Sequence, residues 1–307
     1  MGRSANEWVQ LGDEVADALA AGRGVVALES TIIAHGLPAP ENLEVARACE
    51  DAVRSAGAVP ATIGVRRGRL VVGLSDEAIA ALADPERPVE KLSARDVGLK
   101  LARGGDGATT VAGTLAGARA VGIAVMATGG VGGVHRGASA SFDESADLGA
   151  LAGTSVLVVA SGVKSILDVG ATLERLETLG VAVAGYRTSR FPGFYLVDSG
   201  FGLDWRVESP EEAARAFTAH RALNASAMLL ANPIPAAAAL APALHEAALS
   251  GALARARSDA VSGKQVTPVM LSEFARLTGG VSVEANRALV VANAALAGEV
   301  AVALAGR

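Results

Sequence analysis

Cysteine is nearly absent from this sequence, and an excess of basic charge is missing altogether. The 307 residues contain one cysteine, Cys49, so a scaffold held by internal disulfides is excluded and a reducing cytoplasm is expected. Lys and Arg number 27 against 32 Asp and Glu, which gives a formal net charge of −5. Nucleic-acid-binding proteins normally carry a basic face, and we therefore expect no nucleic-acid partner.

Targeting signals and long apolar runs are also lacking. The first ten residues, MGRSANEWVQ, have no apolar core, and Asn6 stands where a myristoylation signal has Ser or Thr. Apolar runs such as Ala236–Ala241 are bounded by proline and are far shorter than the ~20 residues that cross a bilayer. Hydrophobic residues make up 51% and charged residues 19%, which excludes disorder. We expect a cytoplasmic globular protein without a membrane partner.

What is present is a recurring alternation of short apolar runs and amphipathic stretches. Strands are predicted at Gly24–Leu28, Ile123–Ala127, Val156–Ala160, Val181–Gly185 and Met228–Ala231, with a hairpin of Thr62–Val65 and Leu70–Val72. Helices are predicted at Asn42–Gly57, from Ser75, at Thr109–Ala120, Ile166–Leu179, Ser209 to about Ala222, Ala236–Ala254 and Ser282–Leu304. This order predicts a layered α/β fold with a largely parallel sheet. No linker or repeat divides the chain, so residues 1–307 are interpreted as one domain.

Four polar segments follow predicted strands. They are Glu29–Thr31, Thr128–Gly137, Ser161–Ser165 and Asn232. In open parallel sheets, ligands bind beyond the carboxyl ends of the strands. The sequence therefore predicts a binding site at this edge of the sheet.

Lys164 and Glu29 are the two candidate catalytic residues. Lys164 follows a very apolar strand at the predicted start of a helix, where desolvation and the peptide dipoles favour a nucleophilic neutral amine that can form a Schiff base with a sugar carbonyl. The alternative is a surface lysine leaning out of the first turn. Glu29 directly follows four apolar residues and is a candidate general acid or base, or else a salt-bridged or capping carboxylate.

Two further segments carry binding chemistry. The loop Thr128–Gly137 offers exposed backbone N–H groups, His135 and Arg136, which suit a phosphate, although a plain flexible turn is equally consistent. It matches neither common nucleotide-binding glycine motif. Ser141–Asp147 places three carboxylates within five residues, which would suit a hard cation such as Mg²⁺ or Mn²⁺, or would simply be solvated.

Taken together, the motifs resemble one known family over about residues 10–305. They are ALESTIIAHGLPAPEN (27–42), GAVPATIGV (57–65), KLSARD (91–96), GATTVAGT (107–114), ATGGVGGVHRGA (127–138), FDESADL (142–148), SGVKSILD (161–168), ANPIP (231–235) and GKQVTPVML (263–271). This combination is similar to the pseudouridine-5′-phosphate glycosidases, the family that includes indigoidine synthase A. The resemblance implies reversible cleavage of the C–C glycosidic bond of pseudouridine 5′-phosphate to uracil and ribose 5-phosphate. It also implies a three-layer α/β/α fold with a mixed, largely parallel sheet, a homotrimer, and a divalent ion, usually Mn²⁺.

The same resemblance assigns roles to residues. It implies that Lys164 is the nucleophile, that Glu29 is the acid, and that Asp143 binds the metal. Asp147 is expected to orient and transfer protons. The positions expected to bind substrate are Lys91, Val111, Ser145, Ala146 and Asp147, with Thr128, Gly129, Gly130 and His135 assigned to the phosphate and Asn286 and Asn293 to the uracil side.

The residues alone leave other functions open. A sugar kinase would need nucleotide and an anion-binding loop of the Walker type, which the sequence lacks. A Schiff-base aldolase or lyase would share the lysine but act on another sugar phosphate. A non-catalytic sugar-phosphate sensor would use the glycine loop for binding and Lys164 only structurally.

Overall fold

A computed structural model describes residues 7–259 and 266–306, and its centre is an eleven-stranded sheet. The strands are β1 (Val9–Leu11), β2 (Val25–Leu28), β3 (Val59–Arg66), β4 (Arg69–Val72), β5 (Glu90–Leu92), β6 (Gly107–Thr109), β7 (Val125–Ala127), β8 (Leu157–Ala160), β9 (Ala182–Tyr186), β10 (Arg206–Val207) and β11 (Met228–Ala231). Their order is β1-β4-β3-β2-β7-β8-β11-β9-β10, and β5 and β6 join the sheet through β3.

All strand pairs are parallel except two, and both of these involve β3. The first half of β3 pairs in parallel with β2, whereas its second half pairs antiparallel with β4 and β6. The strands at the centre, β2, β7, β8 and β11, are buried along their whole lengths. Such strands need apolar residues on both faces, which explains runs such as VVAL and LVVA.

Helices cover both faces of the sheet. They are α1 (Asp13–Ala20), α2 (Glu41–Ser55), α3 (Asp76–Ala83), α4 (Ala94–Arg103), α5 (Val111–Val121), α6 (Ala138–Ser141), α7 (Ala146–Ala152), α8 (Val169–Thr178), α9 (Pro210–Leu223), α10 (Pro242–Ser258), α11 (Val266–Leu277) and α12 (Val281–Ala305). A π-helical turn (Ile32–Gly36) and a 3₁₀ turn (Ala236–Ala238) complete the elements. The three-layer α/β/α architecture with a mixed, largely parallel sheet is confirmed.

Several predicted boundaries were wrong for identifiable reasons. The helix predicted from Ile166 begins at Val169, because Asp168 accepts a hydrogen bond from the Ala171 N–H and caps it. The helix predicted from Ala236 begins only at Pro242, since proline suits a first helical position and not an interior one. Thr109 lies in β6 rather than in α5. No strand was predicted at β1, β5, β6 or β10, which are only two or three residues long.

The last helix, α12, is long and apolar enough to cross a membrane by length and composition, although half of its most apolar window is buried inside the protein. It packs against α2 and α9 and lies across β2, β7 and β8. Gly298 makes the contact with α2 possible, because a Cβ there would lie 2.6 Å from that of Ala56. In this structure α12 is a core helix of the layer that covers the sheet.

Candidate active site

A cavity of about 510 Å³ opens at the carboxyl ends of β2, β7 and β8. Its wall comes from the loops after these strands, the π-helical turn, and the starts of α4, α5 and α7. The predicted residues that line it are Glu29, Lys91, Gly129, Gly130, His135, Asp143, Ser145, Ala146, Asp147, Lys164 and Asn286. The position is the one expected for a ligand site in a parallel sheet.

Glu29 is held in a fixed orientation by two hydroxyl groups. The Thr128 hydroxyl donates to Oε1 at 2.5 Å, and the Thr31 hydroxyl donates to Oε2. The side chain of Glu29 is half-buried and lines the cavity, whereas that of Thr128 is buried behind it. A carboxyl group oriented in this way is suited to exchanging a proton with a bound molecule at one position.

Lys164 lies on the loop between β8 and α8. Its backbone N–H donates to the Val131 carbonyl at 3.2 Å, and its carbonyl accepts from the Leu167 N–H at 3.0 Å. Its half-buried side chain lines the cavity. Among the residues that the structure describes, no carboxylate lies within ion-pair distance of its amine, so the amine is not anchored to a wall.

The predicted placement of Lys164 at a helix N-terminus was wrong. Because α8 begins at Val169, Lys164 precedes the Asp168 cap by four residues. The dipole of α8 therefore acts on it only weakly, since that effect is confined to the first turn. A reactive amine at this position would therefore depend on its surroundings in the cavity and not on the helix.

Asp147 joins two parts of the cavity wall. It is buried, and its Oδ1 accepts from the Ala112 N–H at 3.0 Å while Oδ2 accepts from the Gly132 N–H at 2.8 Å. One bond reaches the first turn of α5 and the other the glycine loop after β7. Asp147 therefore fixes the spacing between these two segments.

Asn293 stabilises the glycine loop from behind. Its fully buried Nδ2 donates to the Thr128 carbonyl at 2.8 Å and to the Ser161 hydroxyl at 3.1 Å, while its Oδ1 accepts from Asn232 at 3.0 Å. Asn286, two turns earlier on α12, instead lines the cavity, and no hydrogen bond joins its side chain to another described residue. The two asparagines thus have different surroundings.

Asp143 and His135 lie together on one side of the cavity. The backbone N–H of His135 donates to the backbone carbonyl of Asp143 at 3.1 Å. Partial burial lowers the pKa of His135, the nearby Asp143 carboxylate opposes this, and the charge of Lys164 adds to it. The adjacent Glu144 is already paired with Arg175 at 3.0 Å. Asp143 is left as the half-buried carboxylate facing this part of the cavity.

The side chains around Asp143 suit a metal ion that is held by one carboxylate and by water. No group of three or more His, Cys, Asp or Glu side chains that could hold an ion occurs within residues 7–259 and 266–306. A hard cation can nevertheless be bound through a single carboxylate when it keeps most of its waters. Asp143 fits such a ligand.

One end of the cavity is cationic, and of its side chains only Lys91 was predicted from the sequence to bind substrate. Lys91, Ser93 and Arg95 line it where β5 leads into α4, and Thr110 caps the neighbouring α5. His35 faces the same end, and burial and the charge of Lys91 lower its pKa. The three motifs that contain these residues were noticed, but nothing in them indicated that their side chains line the same part of the cavity.

Other differences from the predicted site are specific. Val111, Thr128 and Asn293 do not line the cavity and are buried next to it. Phe194, which does line it, lies outside all of the family motifs. Residues 263–265 of the GKQVTPVML motif, including Lys264, lie outside the described residues.

Comparison with known sequences finds one family model and relatives that share one name. The sequence model described as "Indigoidine synthase A like protein" matches residues 14–303. A pseudouridine-5′-phosphate glycosidase of Salinispora tropica is 57% identical, over 96% of this chain and 92% of its own length. One of Saccharopolyspora erythraea is 53% identical, over 95% of this chain and 97% of its own.

Solved structures with the same fold agree. The prealnumycin C-glycosynthase AlnA, determined in complex with ribulose 5-phosphate, superposes with a TM-score of 0.90 at 43% identity, covering 98% of both chains. An indigoidine synthase A-like protein from Thermotoga maritima superposes with a TM-score of 0.86 at 33% identity, covering 99% of this chain and 100% of its own. On sequence and structure alike, this chain belongs to the family of indigoidine synthase A like proteins.

Proposed function

We propose that this chain catalyses the reversible cleavage of the C–C glycosidic bond of pseudouridine 5′-phosphate, which yields uracil and ribose 5-phosphate. The observation that supports this most directly is the presence of Lys164 and an oriented Glu29 on the same cavity, after strands separated only by β7. The names of the close relatives favour the same reaction. Cleavage of a C-glycosidic bond needs such an amine and such an acid, because the base would otherwise have to leave as an unstable carbanion.

The first step opens the sugar ring. The neutral amine of Lys164 attacks the anomeric carbon while the protonated carboxyl of Glu29 gives its proton to the ring oxygen. The bond from that oxygen to the anomeric carbon breaks, and the lysine nitrogen, now an ammonium, gives a proton back to the Glu29 carboxylate. An open-chain adduct remains in which the anomeric carbon carries both the neutral lysine nitrogen and uracil. The hydroxyls of Thr128 and Thr31 keep Glu29 oriented during this transfer.

The second step releases uracil. After a proton is added to C5 of the base, the lysine nitrogen donates its lone pair to form an iminium, and the electrons of the C–C bond restore the C5–C6 double bond. Water then hydrolyses the iminium to ribose 5-phosphate and free Lys164. The iminium acts as the electron sink that an ordinary glycosidase does not need.

The polar ends of the cavity suggest how the substrate is oriented. We place its phosphate at the end formed by Lys91, Arg95 and the starts of α4 and α5, where cationic side chains and helix dipoles favour an anion. This differs from the phosphate site predicted at Thr128, Gly129, Gly130 and His135, which adjoin the two catalytic groups. Asp147 already accepts two backbone hydrogen bonds, which favours a role in orienting the wall over one in proton transfer.

A divalent cation such as Mn²⁺ is part of this proposal. Asp143 would hold it, with water completing its coordination. When bound, the ion would polarise nearby oxygens and lower the pKa of its waters.

The assembly is proposed on the resemblance of the chain to its family. We propose a cytoplasmic homotrimer, and exposed aromatic side chains such as Phe142 and Trp205 offer apolar surface for subunit contacts. Light scattering of the purified protein at micromolar concentration would give the number of subunits directly.

The reaction is tested by mixing the protein with uracil, ribose 5-phosphate and Mn²⁺ and observing whether a C-glycoside forms. Reduction with borohydride in the presence of ribose 5-phosphate should join the sugar covalently to the wild-type chain and not to Lys164→Ala. Lys100→Ala is a control, because that lysine pairs with Glu90 away from the cavity. An adduct that persists in Lys164→Ala would remove this residue from the nucleophile's role.

A further inference from the structure

We propose that Phe194 determines which aglycone this enzyme accepts, by forming one wall of the subsite beside the glycine loop. This inference rests on the proposed function, because it concerns the group that leaves the sugar. Phe194 lies between β9 and β10, in a segment that no motif marked. Its ring is almost fully buried, at 2% exposure, and it lines the cavity.

The ring of Phe194 lies directly against the backbone of the glycine loop. A Cβ added at Gly130 would lie 2.7 Å from Cδ2 and 2.8 Å from Cε2 of this ring. A Cβ at Gly129 would lie 3.6 Å from Cε2 and 3.4 Å from Oδ1 of Asn286. The two glycines therefore allow an aromatic face and a primary amide to meet at one side of the cavity.

Backbone contacts fix the position of the Phe194 ring relative to Lys164. Phe194 has a φ of 63°, a left-handed conformation that is uncommon and strained for an aromatic residue. Its N–H donates to the Ser161 carbonyl at 3.0 Å, and the preceding Gly193 carbonyl accepts from the Ser165 hydroxyl at 3.1 Å. Both partners lie on the loop that carries Lys164, so the ring and the amine are positioned together.

This wall suits a small planar lactam. An aromatic face stacks on a flat ring, and an amide can both donate to and accept from the N–H and C=O groups of a lactam. Tyr195 packs behind the ring with centroids 4.5 Å apart, and Phe274 packs behind Tyr195 at 5.6 Å. Because these tilted, buried rings pack against one another, the ring of Phe194 has no free space into which it could move to admit a larger aglycone.

The relatives show that aglycones differ within the fold. Some are named for pseudouridine 5′-phosphate, whereas a relative of 43% identity is named a prealnumycin C-glycosynthase. When proteins of one fold act on different aglycones, the residues that contact the aglycone must differ between them while the reactive lysine stays the same. Phe194 is placed to be such a residue, since it contacts the loop of Lys164 through backbone groups.

The test compares Phe194→Leu with Phe191→Leu, which removes a fully buried ring from the same segment away from the cavity. In the synthetic direction, Phe194→Leu should raise the KM for uracil about ten-fold or more, as expected when a stacking face is lost. Trapping of ribose 5-phosphate by borohydride should stay within about two-fold of wild type. Phe194→Leu should also accept 4-hydroxy-2-quinolone, a bicyclic lactam with a nucleophilic carbon, which wild type and Phe191→Leu should reject.

Gly130→Ala provides a second route to the same result, because its methyl group would displace the ring without removing it. It should also raise the KM for uracil, so the test stands even if Phe194→Leu does not fold. An unchanged KM for uracil in the folded variants would overturn the role of Phe194. If wild type traps no sugar and forms no C-glycoside, the proposed function itself fails.

Discussion

Replacing Asn293 with leucine should destabilise the whole protein, although Asn293 does not touch the cavity. The substitution keeps side-chain size but removes both donors and the acceptor. The Thr128 carbonyl and the Ser161 hydroxyl then lose a hydrogen-bond partner in a fully buried place. Each such group costs about 1–3 kcal/mol, so we expect a loss of about 2–4 kcal/mol in the free energy of unfolding. For a chain of 307 residues that corresponds to a fall of about 3–6 °C in the midpoint of thermal unfolding.

Asn286→Leu is the matched control, because it alters an asparagine of similar burial on the same helix. Its side chain has no hydrogen bond to another described residue, so unfolding should change by less than about 2 °C while activity falls. Both midpoints can be measured by differential scanning calorimetry. Equal midpoints for the two variants would refute the reasoning that Asn293 stabilises the loop and Asn286 serves the ligand.

Three further predictions concern single side chains. Lys164→Ala should lower kcat by at least ~10³-fold, as deletion of a nucleophile does, and methylamine should not restore sugar trapping on the chain. Asp143→Asn should weaken Mn²⁺ binding, measured by electron paramagnetic resonance, whereas Glu144→Gln should not, because Glu144 is paired with Arg175. Burial lowers the pKa of His245 below its ordinary 6.5, so its contribution to stability is complete above that pH and declines as the pH falls. His245→Phe should therefore lose less thermal stability than wild type between pH 7.5 and 5.5, and an equal loss would contradict this.

The sheet and the edge that carries the candidate site were largely predictable because their sequence signals are local. Runs such as VVAL and LVVA can be buried on both faces only as inner strands, and the polar residues that follow them must then meet at one edge. The pattern of strands alone therefore brings Glu29 and Lys164 together. It also explains why Thr128 was noticed, although its hydroxyl acts on Glu29 rather than on a ligand.

The rest of the site depends on contacts that no local pattern records. Asn293 reaches Thr128 across 165 positions in the sequence, and Asp147 bonds two segments that are each far from it in sequence. Phe194 is one of ten aromatic residues in the sequence, and no local pattern marks it as the one that lines the cavity and lies against Gly130. Asp168 was mistaken for an interior helical residue, because a capping aspartate and a helical one look alike without their partners.

The helix α12 follows all of its packing partners in the sequence, and this order has a consequence for synthesis. Its partners α2, α9, β2, β7 and β8 all leave the ribosome earlier, and until residues 281–305 follow, one face of the strands is uncovered. Asn286 and Asn293 also arrive only then, so the nascent polypeptide holds neither a shielded core nor a finished catalytic pocket. Chains that stop before residue 281 should therefore depend on chaperones and bind no substrate.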